Sequence, residues 1–441
     1  MKFHHKFILR ISFISALGGY LFGFDFAVIA GALPFLQQQF NLDPTWEGFA
    51  TGCLALGAII GCLTAGKVSE RYGRRPGMLL AAAIFGISSL AMAAAPGRLV
   101  FVIARFIAGT GVGMASMLSP MYIAEIAPAK YRGRMVAINQ LTVVLGILFT
   151  NLINYWLRNE GADVWRWMFG LGAVPSFLFW LGAYSLPESP RWLIKNGMEQ
   201  KAIEILSKIG TAPYGTDTAR QIKTGLYNAH SKINYKVLLQ KAFFPILLIG
   251  IGLAVFQQFC GINTVFNYAP KIFESIGASQ DDQLLQTVFI GGVNLVFTIV
   301  AMAVVDQVGR KPLMLFGAGG LAILYVLIVQ LLGTGSTEVS WLLLAAIGTY
   351  AMSLAPVTWV LISEIFPGSI RDAGISVAVI GLWAAYFILV FTFPVLFEYL
   401  KDNTFYIYAG VCALGFLFIL FKVKETKGKT LEELEQNLIR H

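Results

Sequence analysis

Residues 70–75 run Glu-Arg-Tyr-Gly-Arg-Arg and residues 306–311 run Asp-Gln-Val-Gly-Arg-Lys. Each follows an apolar run, and each has the form acid-x-x-Gly-basic-basic, at an offset of 236 residues (70 to 306). A second motif recurs beside them. Glu125 and Arg132 stand seven apart, as do Glu364 and Arg371, at an offset of 239 (125 to 364). Two independent motifs at nearly one offset mark a chain built of two homologous halves. In each loop the glycine permits a tight turn between two helices. The flanking charges then pair across the seam between the halves, or cap helix ends.

The composition says what those helices are. The chain has 441 residues, 57% of them hydrophobic and only 13% charged, with a mean hydropathy of +0.69. A soluble domain carries roughly 25% charged residues. The deficit excludes an ordinary soluble enzyme, a disordered protein and a nucleic-acid binder. A membrane span needs about 20 apolar residues, and twelve such segments can be marked: 7–33, 46–66, 77–95, 99–125, 135–157, 167–186, 242–276, 284–305, 313–333, 340–362, 373–397 and 404–423. The seventh is long, and Gly261-Ile262-Asn263 is expected to break it. The N-terminus resembles a signal peptide, but its apolar run continues through Gly23 and Asp25 without a cleavage site and is taken as the first span. The four cysteines (Cys53, Cys62, Cys260, Cys412) sit in apolar stretches without ligand spacing, as buried inert thiols do.

The fold class expected is therefore an all-α polytopic membrane protein, with twelve transmembrane helices in two six-helix, pseudo-symmetric halves. Residues 1–186 form the first half and 242–423 the second. Residues 187–241 form a polar linker of short amphipathic helices at the membrane surface, and 424–441 a tail. Of the 33 Lys and Arg, 27 fall on the side holding both termini. Arg98, Arg158, Arg166, Lys271 and Lys401 fall opposite, and Arg105 lies within a span. That bias places both termini in the cytoplasm. It also explains the net charge of +9 as a topology signal, with some attraction to anionic lipid.

Several stretches carry a family likeness: GKVSERYGRR at 66–75, RGR at 132–134, PESPRWL at 187–193, QQFCGINTVFNYAP at 257–270, DQVGRKP at 306–312, SEIFP at 363–367 and ETKGKTLEELE at 425–435. In this order the chain resembles the sugar porter family of the major facilitator superfamily, nearest to the bacterial xylose/proton symporters. The resemblance implies the two-half fold, transport of a sugar and no cofactor. Lys424-Glu425-Thr426-Lys427-Gly428 departs from the family's PETKG, which alters how the tail leaves the membrane.

Polar groups within spans are unfavourable in lipid and usually face a cavity. Gln257, Gln258 and Asn263 lie at the expected break, Gln140 in the fifth span and Asn294 in the eighth. Trp359 and Trp383 lie in the tenth and eleventh. Neutral amides both donate and accept, as sugar hydroxyls do, and an indole packs on a sugar's C–H face. Taken singly, each amide also suits a helix–helix hydrogen bond. The resemblance turns the balance. Family positions matching Gln140, Gln257, Gln258, Asn263, Asn294 and Trp359 contact the sugar, and those matching Phe22 and Trp383 line the pocket. Three departures reshape it: Leu382 where an amide is frequent, Asn267 where a Tyr is usual, and Ala355 where a Gly stands near Trp359.

Asp25 and Arg105 lie in the first and fourth spans. Burial disfavours a charged carboxylate and a nearby guanidinium favours it. A group held between those effects can carry a proton, and a structural ion pair is the plainer alternative. The family's proton symporters have an acid at the position of Asp25, and its passive mammalian facilitators an Asn. The resemblance thus implies proton coupling through Asp25, regulated by Arg105. His4, His5, His230 and His441 lie outside the spans and are set aside as proton carriers.

At the cytoplasmic face, Arg74, Glu125, Arg132, Glu188, Arg191, Arg310, Glu364 and Arg371, with Glu425 in the place equivalent to Glu188, are expected to form a charged gate. The expected protein is a monomeric proton-driven sugar importer of a bacterial inner membrane. Its partners are sugar, protons and the lipid bilayer, with no metal, no cofactor and no nucleic acid. The rivals are a passive facilitator, a proton symporter of inositol or another polyol, and a transporter-like sugar sensor. An enzyme is not expected, for no nucleophile–base set, metal cluster or phosphate loop stands in the sequence.

Overall fold

The computed structural model describes residues 3–128, 131–228, 235–241, 243–332, 338–367 and 370–427. His230, His441, part of the polar linker and the tail beyond Lys427, with residues 428–435 of the ETKGKTLEELE stretch, lie outside the described residues.

Among the described residues every regular element is a helix. The first five spans are α1 (His5–Phe40), α2 (Pro44–Tyr72), α3 (Arg74–Ala93), α4 (Arg98–Ile126) and α5 (Arg132–Leu157). The sixth is made of two pieces, α6 (Val164–Gly170) and α7 (Ala173–Tyr184). The linker carries α8 (Pro190–Lys195), α9 (Glu199–Ile209) and α10 (Ala212–Asn228). Next come α11 (Phe244–Phe259), α12 (Ile262–Ser275), α13 (Gln280–Val308) and α14 (Arg310–Leu332), then α15 (Val339–Met352) and α16 (Leu354–Ile365), and finally α17 (Arg371–Leu400) and α18 (Thr404–Lys422). Eleven stretches are long and apolar enough to cross a membrane, and the last of these, Ala373–Lys422, contains both α17 and α18. A 3-10 turn at Lys401–Asn403 separates those two helices, so the crossings number twelve.

The breaks within spans have local causes. Between α11 and α12, Gly261 takes φ 85°, a left-handed conformation that favours glycine. Between α15 and α16, Ser353 leaves the helical region at φ −125°, ψ −84°. Its Oγ donates to the Thr349 carbonyl at 2.5 Å, satisfying an acceptor that the break would otherwise strand. Neither this break nor the one at Leu171-Gly172 carries a signal as plain as Gly-Ile-Asn.

The chain divides into two compact units. The first holds Met1–Val28, Cys53–Thr150 and Asp163–Ser231. Its core packs α3 against α4, α6 and α7, with the Phe101 ring edge-on to Trp165 and Phe169. The linker helices belong to this unit. α9 buries Ala202, Leu206 and Ile209 and turns the Lys208–Glu204 pair outward, as an amphipathic helix does. The His4 amide donates to the Ile209 carbonyl at 3.0 Å, and the Phe3 ring meets Tyr131 and Tyr214 edge-on.

The second unit holds Ile29–Gly52, Asn151–Ala162 and Lys232–His441. Its core packs α14 on α18 and α11 on α17. Parts of α1, α2 and α5 belong to it as well. Lys271 Nζ on α12 lies 2.7 Å from Glu47 Oε2 on α2, and Arg158 Nε on α5 lies 2.7 Å from Asp281 Oδ1 on α13. Cys53, Cys260 and Cys412 are buried, Cys62 is half-buried, and all four are free thiols.

Candidate functional site

The amides of the seventh span form a bonded ladder at its break. Gln257 Nε2 donates to the Ala355 carbonyl on α16 at 3.4 Å. Gln258 Nε2 donates to Gln257 Oε1 at 3.1 Å, and Asn263 Nδ2 donates to Gln258 Oε1. The left-handed turn at Gly261 lets α11 and α12 present these three side chains to one another. All three are at most 6% exposed, so an unsatisfied amide here would be destabilising. Asn294 on α13 and Trp383 on α17 are buried too. Trp359 stands one turn beyond Ala355 on α16 and is 42% exposed.

Tyr386 is the member of this cluster that the sequence did not signal. Its hydroxyl donates to Asn267 Oδ1 at 3.2 Å, and its ring meets the Trp383 indole edge-on at 5.9 Å. One more tyrosine in an aromatic-rich span carries no pattern that singles it out. Asn267 is buried as well, and its Nδ2 donates to the Asn263 carbonyl at 2.6 Å.

In the first unit, Gln140 on α5 and Phe22 on α1 are half-buried. These helices are tied nearby by Thr142 Oγ1, which donates to the Ala16 carbonyl at 2.6 Å. Phe22 packs edge-on against Phe26 at 6.0 Å.

Asp25 on α1 and Arg105 on α4 come together as expected. Arg105 Nη1 lies 3.3 Å from Asp25 Oδ1, with both side chains at most 1% exposed. Asp25 Oδ2 and Arg105 Nε and Nη2 are buried without a hydrogen-bond partner among the described residues. The pair is therefore held by one long contact. A buried ion pair is favourable only when its remaining donors and acceptors are satisfied, and this one leaves three of them open.

The charges expected to form the gate are arranged as two copies of one network. Arg74 donates from Nε and Nη2 to the two oxygens of Glu125, at 2.9 and 2.8 Å. Ser189 Oγ donates to Glu125 Oε2 at 2.5 Å. Glu188 accepts from the Arg74 and Arg75 amides, at 2.9 and 3.2 Å, at the N-terminus of α3. In the second copy, Arg310 Nη2 donates to Glu364 Oε1 at 3.2 Å, and Thr426 Oγ1 donates to Glu364 Oε2 at 2.5 Å. Glu425 accepts from the Arg310 and Lys311 amides, at 3.1 and 3.0 Å, at the N-terminus of α14. Gly73 and Gly309 precede those helices at φ 103° and 104°. A Cβ at either position would collide with the capping glutamate. Glu125 and Glu364 thus each pair with an arginine, while Glu188 and Glu425 each cap a helix N-terminus, where a negative charge complements the helix dipole. Arg371 Nε donates to the Phe366 carbonyl at 3.2 Å, while Arg132 and Arg191 are exposed.

The two capping acids respond differently to their settings. Burial pushes the Glu188 carboxyl above the ordinary carboxylate range, against the pull of the Ser189, Arg74 and Arg75 amides. Burial also pushes Glu425 up, but the amides of Lys427, Arg310, Lys311 and Thr426 together outweigh it and hold that carboxyl below the ordinary range.

The family model described as "Sugar (and other) transporter" matches residues 11–438. The chain belongs to that family. It is 38% identical over 475 residues to the D-xylose-proton symporter of Escherichia coli (strain K12), covering 98% of this chain and 96% of that one. It is 36% identical over 446 residues to the arabinose-proton symporter of Bacillus subtilis (strain 168), covering 98% and 95%. Among solved structures, the inward open conformation of the E. coli xylose transporter XylE matches with a TM-score of 0.87 at 37% identity, covering 98% of this chain and 99% of that one. The chain is therefore an integral membrane transporter of the major facilitator fold rather than an enzyme.

Proposed function

We propose that this protein imports a neutral monosaccharide by proton symport, with a D-xylose-like pentose or hexose as the first candidate. The observation that carries the coupling is the Asp25–Arg105 pair, buried and bonded through one contact of 3.3 Å. A carboxylate with a free oxygen beside a guanidinium can take up a proton and release its partner, which a fully bonded pair resists. The amide ladder Gln257–Gln258–Asn263 supports the choice of a neutral polyol over an ion. Names of relatives at 36–38% identity, a D-xylose-proton symporter and an arabinose-proton symporter, support both sugar and proton.

In this reading Gln140, Gln257, Gln258, Asn263, Asn294 and Trp359 bind the sugar, with Phe22 and Trp383 as apolar walls. Protonated Asp25 and bound sugar together permit the change of access. The charges of Arg74, Glu125, Arg132, Glu188, Arg191, Arg310, Glu364 and Arg371 steady the cytoplasmic gate. The protein works as a monomer in a bacterial inner membrane, surrounded by lipid, with both termini in the cytoplasm.

The test is external pH in weakly buffered, transporter-deficient cells expressing the protein, with xylose, glucose, galactose, arabinose and inositol added in turn. Alkalinisation with one of them is expected. Labelled uptake without any pH change, repeated under de-energised conditions, would make the protein a passive facilitator and leave Asp25 a structural partner of Arg105. Asp25→Asn should abolish accumulation against a gradient while sparing exchange.

A further inference from the structure

Helix α12 is bolted to α17 by two hydrogen bonds one helical turn apart. Tyr386 Oη donates to Asn267 Oδ1 at 3.2 Å, and Tyr268 Oη donates to the Val390 carbonyl at 2.8 Å. Tyr386 and Val390 are four residues apart on α17 and so share a face. Asn267 and Tyr268 are neighbours on α12, and Tyr268 sits at the point where the backbone leaves helical geometry (φ −123°, ψ 20°). Pro270, two residues on, cannot donate the hydrogen bond that would straighten the helix there.

The two bolts differ in what lies behind them. The Tyr268 bond ends at a backbone carbonyl, and the same hydroxyl meets Thr51 on α2, away from the amide ladder. The Tyr386 bond continues: Asn267 Nδ2 donates to the Asn263 carbonyl, and Asn263 Nδ2 donates to Gln258. On its other side the Tyr386 ring meets the Trp383 indole. Tyr386 thus connects the amide ladder to an aromatic wall. Asn267 is fully buried, with both ends of its amide engaged inside the protein.

We propose that Tyr386 and Asn267 form a positioning pair that sets sugar preference without touching the sugar. Their bond ties Asn267, and with it the Asn263 end of the ladder, to the face of α17 that carries Trp383, and so sets the angle between the Asn263 amide and the Trp383 indole. Sugars that differ by the orientation of one hydroxyl are ranked by that angle, since a misplaced polar partner leaves a buried group unpaired. This inference rests on the proposal that the ladder binds a neutral sugar.

The experiment uses the full-length protein in proteoliposomes, with uptake of D-xylose, D-glucose, D-galactose and L-arabinose measured for the wild type and four variants. Tyr386→Phe removes one hydroxyl and keeps the ring against Trp383. It should shift the ratio of kcat/KM between two of the sugars by about three- to tenfold, mostly through KM. Asn267→Leu should shift the same ratio in the same direction. The double variant should shift it no further, because both act through one bond. Tyr268→Phe removes the other bolt and should leave the ratio unchanged. The inference is overturned if Tyr386→Phe keeps the wild-type ratio, if the double variant is additive, or if Tyr268→Phe shifts the ratio equally. If the wild type moves none of the four sugars, the functional reading itself falls and the positioning role falls with it.

Discussion

Arg74 holds both carboxylate oxygens of Glu125, at 2.9 and 2.8 Å, whereas its counterpart Arg310 reaches only one oxygen of Glu364, at 3.2 Å. The two pairs occupy equivalent places in the repeat. They differ in grip and in shelter, for Glu125 is 9% exposed and Glu364 is 24% exposed.

That asymmetry gives a first prediction. A two-pronged Arg–carboxylate pair is stronger and more geometry-dependent than a single contact. Arg74→Lys should lower stability by about 1–3 kcal/mol, and Arg310→Lys should lose less through its contact with Glu364. Thermal melting of the detergent-solubilised protein checks this. Equal losses would mean that the second prong contributes nothing.

The two capping acids should show opposite pH signs. Glu425 has a folded value below the ordinary 4.5. Its contribution to stability is complete above that value and is lost as pH falls through the lower folded one. Glu188 has a folded value above 4.5. Its contribution is complete below 4.5 and is lost as pH rises through the raised value. Melting temperatures from pH 4 to pH 7 are the readout. The gap between wild type and Glu425→Gln should narrow toward the acid end, and the gap between wild type and Glu188→Gln should move in favour of the wild type there.

Two ion pairs join α2 to α12 and α5 to α13, and burial separates their expected strengths. Glu47 is 2% exposed and Asp281 is 60% exposed. Lys271→Met leaves a buried carboxylate without its partner and should cost about 3–5 kcal/mol, most of it recovered by adding Glu47→Gln. Asp281→Asn should cost less than about 1 kcal/mol, and salt should erase the difference. Denaturation with and without 0.5 M salt (a concentration with a Debye length of roughly 4 Å) tells the two apart.

Arg105→Met should be worse tolerated than the double variant Asp25→Asn/Arg105→Met. The single change strands Asp25 among apolar neighbours, and the double change removes the charge altogether. Yield of monodisperse protein is the readout, and proton-linked accumulation should be absent in both.

Much of this architecture is legible in the amino-acid sequence. Spans announce themselves because lipid excludes charge, and the repeat shows because both halves need the same glycine turn and the same charges outside the membrane. The helix break at Gly261 was visible as Gly-Ile-Asn between apolar runs. The break at Ser353 was not, since a lone serine in a span more often hydrogen-bonds back along an intact helix. Gln257, Gln258 and Asn263 were found because amides are rare in spans. Tyr386 carries no such signal, because tyrosine is common there. The partnership of Glu47 with Lys271 spans 224 residues of chain, and no local pattern connects them. The gate charges were recognisable as a set, but not the way they divide. Pairing across the seam and capping of helix ends both fit the pattern, and Glu188 and Glu425 sit on helix ends.

The capping glutamates bear on where one half of the molecule stops. Glu188 and Ser189 lie beyond the last apolar residue of the sixth span, yet they close the network of α3 and α4, as Glu425 and Thr426 close that of α14 and α16. Each copy of the network therefore carries its own fastener a few residues past an apolar run. Anyone dividing the gene into two co-expressed fragments should cut downstream of Trp192, whose amide donates to Ser189 Oγ at 3.3 Å, leaving that fastener on the first piece. A cut at the hydrophobic boundary would strip Glu188 and Ser189 from the α3–α4 network they close.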